Sequence, residues 1–380
     1  MANESLLMSF HRDLLSDTDT QSRFRKAIRA VVRTGDRVLD LGAGTGVHAV
    51  FACEAGASKV YAIENDRIID LAREIVRRNG CAERVVFVRG NSTEVVLPEQ
   101  VDVVVSNLGF DSTLRYLPDV RDRFLAEDGR IVPGAMEMIA TPVESPESHA
   151  RDVAFWKRDC FGVDLEPMWK MAANTVHVDR FDEQQLLARP ATLVRVDLNV
   201  ASGWRMAGKA VFLASRRGTM HGLATWYVQH LDDHTRVSLE PPLKLPYPLW
   251  HHCFFPLDEP VEVDDGDRIE VDLRLAPFGD AGTYLTWEIQ IDGNDVSVAS
   301  RHSTLEGTPI SLEALKRQQP EHRPTLSSRG EAARTVLNLA NDHEQLTDIE
   351  RATCDRYPSL FRDRRDAAAF VSKVLRDFSA

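Results

Sequence analysis

A chain of 380 residues can bury a sizeable core and hold more than one domain. A net charge of −12 counts against nucleic acid as the main partner, because phosphate binding asks for a basic face. The five cysteines are odd in number and lack metal or redox spacing, and no apolar run is long enough to cross a membrane. A cytoplasmic enzyme with free thiols is expected, with no metal, nucleic acid or membrane partner and no signal peptide over Met1–Phe10.

Residues 5–33 carry apolar positions at helical spacing (Leu14, Leu15, Phe24, Ala27, Ile28, Val31), with Asp17 and Thr20 as cap residues between two helices. Strands at 37–41, 59–63, 84–89 and 101–106 then alternate with helices at 46–55 and 66–79. A helix over 118–126 and an Asp128-Gly129 turn lead into the strand 130–132. Short β-branched runs between helices indicate a Rossmann-like, doubly wound parallel sheet. After Pro133-Gly134 the period changes to two. Val194 to Val200 and Ile269 to Leu275 alternate apolar with polar, and Asp265-Gly266 and Asp292-Gly293 are hairpin turns, so an antiparallel, barrel-like β domain follows. Helices at 330–340, 346–356 and 364–378 close the chain after a linker bracketed by Pro320 and Pro324. The expected division is N-terminal helices over 1–34, a parallel-sheet domain over 35–134 and a β domain over 135–310. An insert lies at about 150–183, and a helical or winged-helix-like module occupies 325–380.

The chemistry concentrates in Val38 to Gly46. An apolar strand runs into Asp40-Leu41-Gly42-Ala43-Gly44-Thr45-Gly46, a turn that favours glycine and opens a helix whose first amides face a ligand. Glu64, at the tip of the next strand about twenty residues on, is placed to accept both hydroxyls of a ribose. An acid beside the first glycine would repel the phosphates of a dinucleotide, yet it suits the cationic end of S-adenosylmethionine. This is the pattern of class I methyltransferases.

The order of parts resembles the protein arginine methyltransferases over roughly residues 8–305. The stretches that carry the likeness are Leu14–Asp17 with Arg23–Ile28, Val38–Gly46, Ile63-Glu64, Gly90–Val95 with Leu97-Pro98, Leu125–Pro133, and Pro248-Leu249-Trp250. The resemblance implies S-adenosylmethionine as cofactor, held by Asp40, Gly42, Ala43, Gly44, Gly46 and Glu64, with Asn91, Ser92 and Thr93 on the adenine side. It also implies N-terminal helices that cover the cofactor. The insert 150–183, with Phe155, Trp156, Phe161, Met168, Trp169 and Met171, implies a dimerisation arm and a homodimer.

The departures bear on the acceptor. The family grips a guanidinium with two glutamates after the fourth strand. Here Asn107 stands at the first and Arg115 near the second, and Leu249 stands at the histidine before Trp250. Thr20 replaces an arginine that meets the cofactor carboxylate, with Arg23 as a candidate substitute. Two readings stay open: a methyltransferase acting on a nitrogen or oxygen of a small metabolite or peptide, and an inactive scaffold that keeps the fold. On the first reading the 106–115 loop holds the acceptor. Asn107 supplies hydrogen bonds, Asp111 is the base candidate, and Arg115 binds an anionic group or pairs with Asp119 at i+4. Trp250 and His251 complete the substrate side, with His252 beside them. His48 reads as a packing residue.

Overall fold

The computed structural model describes residues 2–158, 161–201, 205–242, 251–278, 282–293, 297–308, 316, 319 and 321–378. Two helices open the chain, α1 (Ala2–Ser16) and α2 (Thr18–Val31). Asp17 caps α2 by accepting the Thr20 amide at 3.0 Å, while Thr20 itself is buried inside the helix. Next come β1 (Arg37–Leu41), α3 (Val47–Glu54), β2 (Lys59–Glu64), α4 (Ile68–Arg78), β3 (Val85–Arg89), β4 (Val101–Ser106), α5 (Phe110–Phe124) and β5 (Leu125–Val132).

The five strands form a parallel sheet in the order β3-β2-β1-β4-β5. The strand order switches from leftward to rightward between β1 and β4, so a crevice opens above their carboxyl ends, where α/β sheets bind ligands. Period-two alternation divides each strand between two cores. Val38, Val60 and Val103 face α2, α3 and α4, whereas Leu39, Tyr61 and Val104 face α5. At the opposite pole, the amino ends of the strands are tied by charge. Arg37 reaches Asp102 at 3.0 Å and Glu99 at 3.3 Å, and Glu99 also accepts Lys59 at 3.0 Å and the Tyr61 hydroxyl at 2.7 Å.

Two elements differ from expectation. The helix expected at 118–126 begins at Phe110, because Leu114, Leu117, Val120 and Phe124 continue one apolar stripe straight through Pro118. The Asp128-Gly129 turn persists as a bulge inside β5, whose pairing with β4 jumps from Val101↔Leu125 to Val103↔Arg130.

β5 passes through Pro133-Gly134 directly into β6 (Ala135–Val143), the first strand of an antiparallel domain. That domain continues through α6 (Pro146–Asp152), α7 (Glu166–Ala173), β7 (His177–Asp179), β8 (Ala191–Asp197), β9 (Met206–Leu213), β10 (Gly218–His230), β11 (Arg236–Ser238), β12 (His252–Val263), β13 (Arg268–Phe278), β14 (Gly282–Asp292) and β15 (Ser297–Ser303). One sheet runs β7-β12-β10-β6-β8 with β11 beside β10; the other runs β15-β14-β13-β9. Leu223 and Phe255 of the first pack with Val271, Trp287 and Ile289 of the second. The insert folds as short helical pieces between α6 and β7, with Phe155 and Phe161 exposed.

Residues Ile310–Ala380 form a separate compact unit. α8 (Ser328–Asn341), α9 (Leu346–Arg356) and α10 (Arg364–Phe378) enclose Val336, Ile349 and Val371. Ser327 caps α8, and the Tyr357 hydroxyl donates to the Glu331 carbonyl at 3.0 Å. Among its described residues this unit holds these three helices and no strand.

Candidate cofactor and acceptor site

A cavity lies over the carboxyl ends of β1, β2 and β4. Its floor is Leu41, Gly42, Ala43, Gly44 and Thr45, its far wall Ile63, Glu64, Asn91 and Ser92. α1 closes it with Phe10, His11 and Leu14, and α2 and α3 add Gln21 and His48. Asn107 and Leu108 border it from the loop after β4.

Glu64 is built for its position. One carboxylate oxygen accepts the Gly44 amide at 2.9 Å and the other the Asp66 amide at 2.8 Å, which leaves each oxygen a further lone pair. Gly42 has φ +73, and a Cβ there would stand 2.7 Å from Leu108 Cδ2, so the turn and the loop after β4 approach closely only because this residue is glycine. The Leu108 carbonyl accepts from Thr113 Oγ1 at 3.1 Å and from Gln229 Nε2 at 3.3 Å, which fixes the loop to both α5 and β10. On the opposite wall Asn91 Oδ1 accepts the Thr93 amide at 3.2 Å, and Arg123 donates to the Ser92 carbonyl at 2.9 Å.

Asp40 lies beneath the turn and does not line the cavity. It shares the Val38 face of β1, so its side chain points under α3. It is 1% exposed, and neither oxygen has a regular hydrogen-bond partner. Burial pushes its carboxyl up to about 7; the Ala49 amide nearby offsets part of this, and the charge of Glu64 adds to it. The cavity itself offers the glycine turn and Glu64, whose two oxygens present paired acceptors for a diol. These residues fit the ribose of S-adenosylmethionine.

Comparisons with known proteins agree with this geometry. The family model "Ribosomal protein L11 methyltransferase" matches residues 20–152, and "Arginine methyltransferase oligomerization subdomain" matches residues 135–292. The chain is an arginine-methyltransferase-like, class I S-adenosylmethionine-dependent methyltransferase. Protein arginine N-methyltransferase 6 of Xenopus laevis is 28% identical over 287 residues, covering 71% of this chain and 84% of that one. Protein arginine N-methyltransferase 2 of Xenopus tropicalis is also 28% identical, over 69% of this chain, and the match spans 65% of that relative's length. Among solved structures, the Trypanosoma brucei PRMT1 enzyme-prozyme heterotetramer with AdoHcy superposes with a TM-score of 0.70 at 22% identity, covering 77% of this chain and 97% of that one. The Arabidopsis thaliana protein arginine methyltransferase 10 does so with 0.66 at 21%.

In this methyltransferase the cavity brings together Gly42, Ala43, Gly44, Glu64, Asn91, Ser92 and Asn107. Other candidates lie outside it. Gly46 faces α4, where a Cβ would stand 3.0 Å from Val76, so its part is packing. Thr93 turns back on Asn91, its hydroxyl 3.1 Å from Oδ1. Asp111 and Arg115 belong to the first turns of α5 and are exposed, because the helix starts eight residues earlier than the breaker at Pro118 suggests. Arg115 stacks over the Tyr116 ring at 5.2 Å, and Asp119 is taken by Arg123 at 2.9 Å, not by Arg115. Arg23 pairs with Asp19 and donates to the Arg236 carbonyl at 3.1 Å, away from the cavity.

On the substrate side, Trp250 is outside the described residues, and His251 does not line the cavity. His252 is structural. It is fully buried, its Nε2–H donates to the Leu239 carbonyl at 2.9 Å and its Nδ1 accepts the Phe181 amide at 2.9 Å. Burial pushes its pKa down to about 4, which keeps the ring neutral.

Sequence reasoning missed His11, Gln21, His48 as a cavity residue, Arg123 and Gln229. His11 alone had a local signal, lying three and four residues before Leu14 and Leu15 on one helical face. Arg123 and Gln229 act through backbone carbonyls distant in sequence, which no local pattern encodes. Among the described residues no His/Cys/Asp/Glu group could hold a metal ion, and no helix is long and apolar enough to cross a membrane.

Proposed function

We propose that this methyltransferase moves a methyl group to a nitrogen or oxygen nucleophile other than an arginine side chain, on a small metabolite or a peptide, and that it works in the cytoplasm as a homodimer. The observation that carries the acceptor reading is the lining of the cavity. Among its described residues Glu64 is the only carboxylate, and on this reading it serves the ribose. A guanidinium approaching the 106–109 loop would meet Asn107 and Leu108 instead of paired acids, and paired acids are what grip it bidentately.

The cofactor supplies a methyl group already activated on a sulfonium. The protein's task is alignment, since holding two reactants in line removes most of the entropic barrier. Leu108, tied through its carbonyl to α5 and β10, keeps Asn107 at the cavity edge, where its amide can donate to or accept from the nucleophile. Asp111 stands beside that loop; burial raises the pKa of the nearby Tyr227 hydroxyl and Cys253 thiol, and the charge of Asp111 adds to it. It is our candidate for receiving the acceptor's proton.

The homodimer reading is supported by the insert. Phe155 is 38% exposed, Phe161 102% and Val163 57%, an apolar surface of the kind that interfaces cover. Light scattering of the full chain and of a variant lacking 153–180 tests it: the full chain is expected as a dimer and the variant as a monomer.

The acceptor test is radiolabelled methyl transfer from S-adenosylmethionine to an arginine-rich peptide, set beside amine, imidazole, hydroxyl and carboxylate acceptors. Transfer is expected to one of the latter, reduced by Asn107→Ala. Robust labelling of the arginine peptide, lost on Asn107→Ala, would overturn the acceptor reading. Cofactor binding with no transfer to any acceptor would favour the inactive-scaffold reading.

A further inference from the structure

S-adenosylmethionine ends in a carboxylate, and that carboxylate needs donors in the cavity. Among the described residues lining the cavity there is no Lys or Arg. Arg23, the nearest arginine in sequence to α2's cavity face, is occupied by Asp19 and the Arg236 carbonyl.

What the cavity offers at the α2–α3 wall is an amide and an imidazole in contact. Gln21 and His48 both line it, and His48 Nε2 lies 3.2 Å from Gln21 Oε1. The His48 ring is stacked on the fully buried Phe24 at 4.9 Å between centroids and 21° between planes, so its direction is set by packing. Burial pushes its pKa down to about 4, which leaves a neutral ring with one N–H. When that N–H is donated to Gln21 Oε1, the Gln21 amide has its oxygen turned to His48 and its nitrogen away from it. Gln21 Nε2 carries two hydrogens. One goes to the Leu14 carbonyl at 3.3 Å, at the end of α1, and the second has no acceptor among the described residues.

The geometry points to Gln21 as a direct donor to the carboxylate of the cofactor, with His48 as the residue that positions its amide. This assignment rests on the cofactor reading above. It gives the chain a neutral carboxylate site in place of an arginine, and it ties that site to α1 through the Leu14 carbonyl.

The test is calorimetry with two ligands, S-adenosylhomocysteine and its decarboxylated counterpart, 5′-deoxy-5′-(3-aminopropylthio)adenosine. Wild type should prefer the carboxylate-bearing ligand. Gln21→Leu and His48→Leu should weaken S-adenosylhomocysteine about tenfold or more, while changing the decarboxylated ligand less than about twofold. His48→Gln, which can still donate to Gln21, should recover part of the loss. Equal weakening of both ligands would mean that the pair only supports α1 and α2, and would overturn the assignment. So would unchanged affinity for both. A wild type that binds neither ligand would instead remove the cofactor reading itself. Thermal melting of each ligand-free variant identifies any that fails to fold, and His48→Gln, closest in size and polarity, then decides the outcome.

Discussion

Replacing Glu64 by alanine tests the cofactor site at its centre. Two carboxylate oxygens are held 2.9 Å and 2.8 Å from the Gly44 and Asp66 amides, and each keeps a lone pair for one ribose hydroxyl. A hydrogen bond to a charged acceptor contributes about 1.5–3 kcal/mol. Losing two therefore costs about 3–6 kcal/mol, or roughly a hundredfold to ten-thousandfold in Kd for S-adenosylhomocysteine. The freed Gly44 amide also loses its acceptor, so the turn loosens and the loss falls toward the upper end. Glu64→Gln is no rescue, because its NH2 group would confront one of the two backbone amides. Calorimetry against S-adenosylhomocysteine and its 2′-deoxy form separates ribose recognition from turn support. Wild type should lose about one bond's worth on deletion of the 2′ hydroxyl, and Glu64→Ala should lose almost nothing further. A variant that binds S-adenosylhomocysteine as wild type does, or that discriminates the deoxy ligand equally well, would refute the reasoning.

Gly42→Ala introduces a Cβ at φ +73 and 2.7 Å from Leu108 Cδ2; it should lower stability by about 1–2 kcal/mol and weaken cofactor affinity at least tenfold, measured by denaturant melts and calorimetry. Asp40 should make the ligand-free protein less stable as pH rises. Its folded pKa of about 7 stands above the unfolded value of 3.8, so stability present at pH 4 is lost progressively toward pH 7. Urea melts of wild type and Asp40→Asn should diverge over that range by up to about 4 kcal/mol in favour of Asn, and a constant difference would refute the burial of an orphaned carboxyl.

The parallel sheet was legible because its signals are local. Val38, Leu39 and Leu41 before a glycine turn, and Glu64 at the next strand's tip, encode both the element and its ligand end. The three C-terminal helices were equally plain from one-sided apolar spacing. What was not legible depends on direction and distance. Asp40 stands next to the glycines in sequence, yet strand alternation turns it under α3. Asp111 and Arg115 read as loop residues because Pro118 looks like a helix start, whereas the apolar stripe from Phe110 to Phe124 overrides it. Gln229 meets Leu108 only once the β domain has folded against the sheet.

The ion cluster of Arg37, Lys59, Glu99 and Asp102 sits at the pole of the sheet farthest from the glycine turn. The chain thereby separates two kinds of sequence freedom. Exchanges at that pole retune how firmly the strands are bound together while leaving every ligand-facing group in place. Exchanges at the other pole alter chemistry on a scaffold already secured elsewhere. An engineer seeking a hardier variant, or a lineage adapting to a warmer habitat, has in those four side chains a dial that turns independently of what the enzyme methylates.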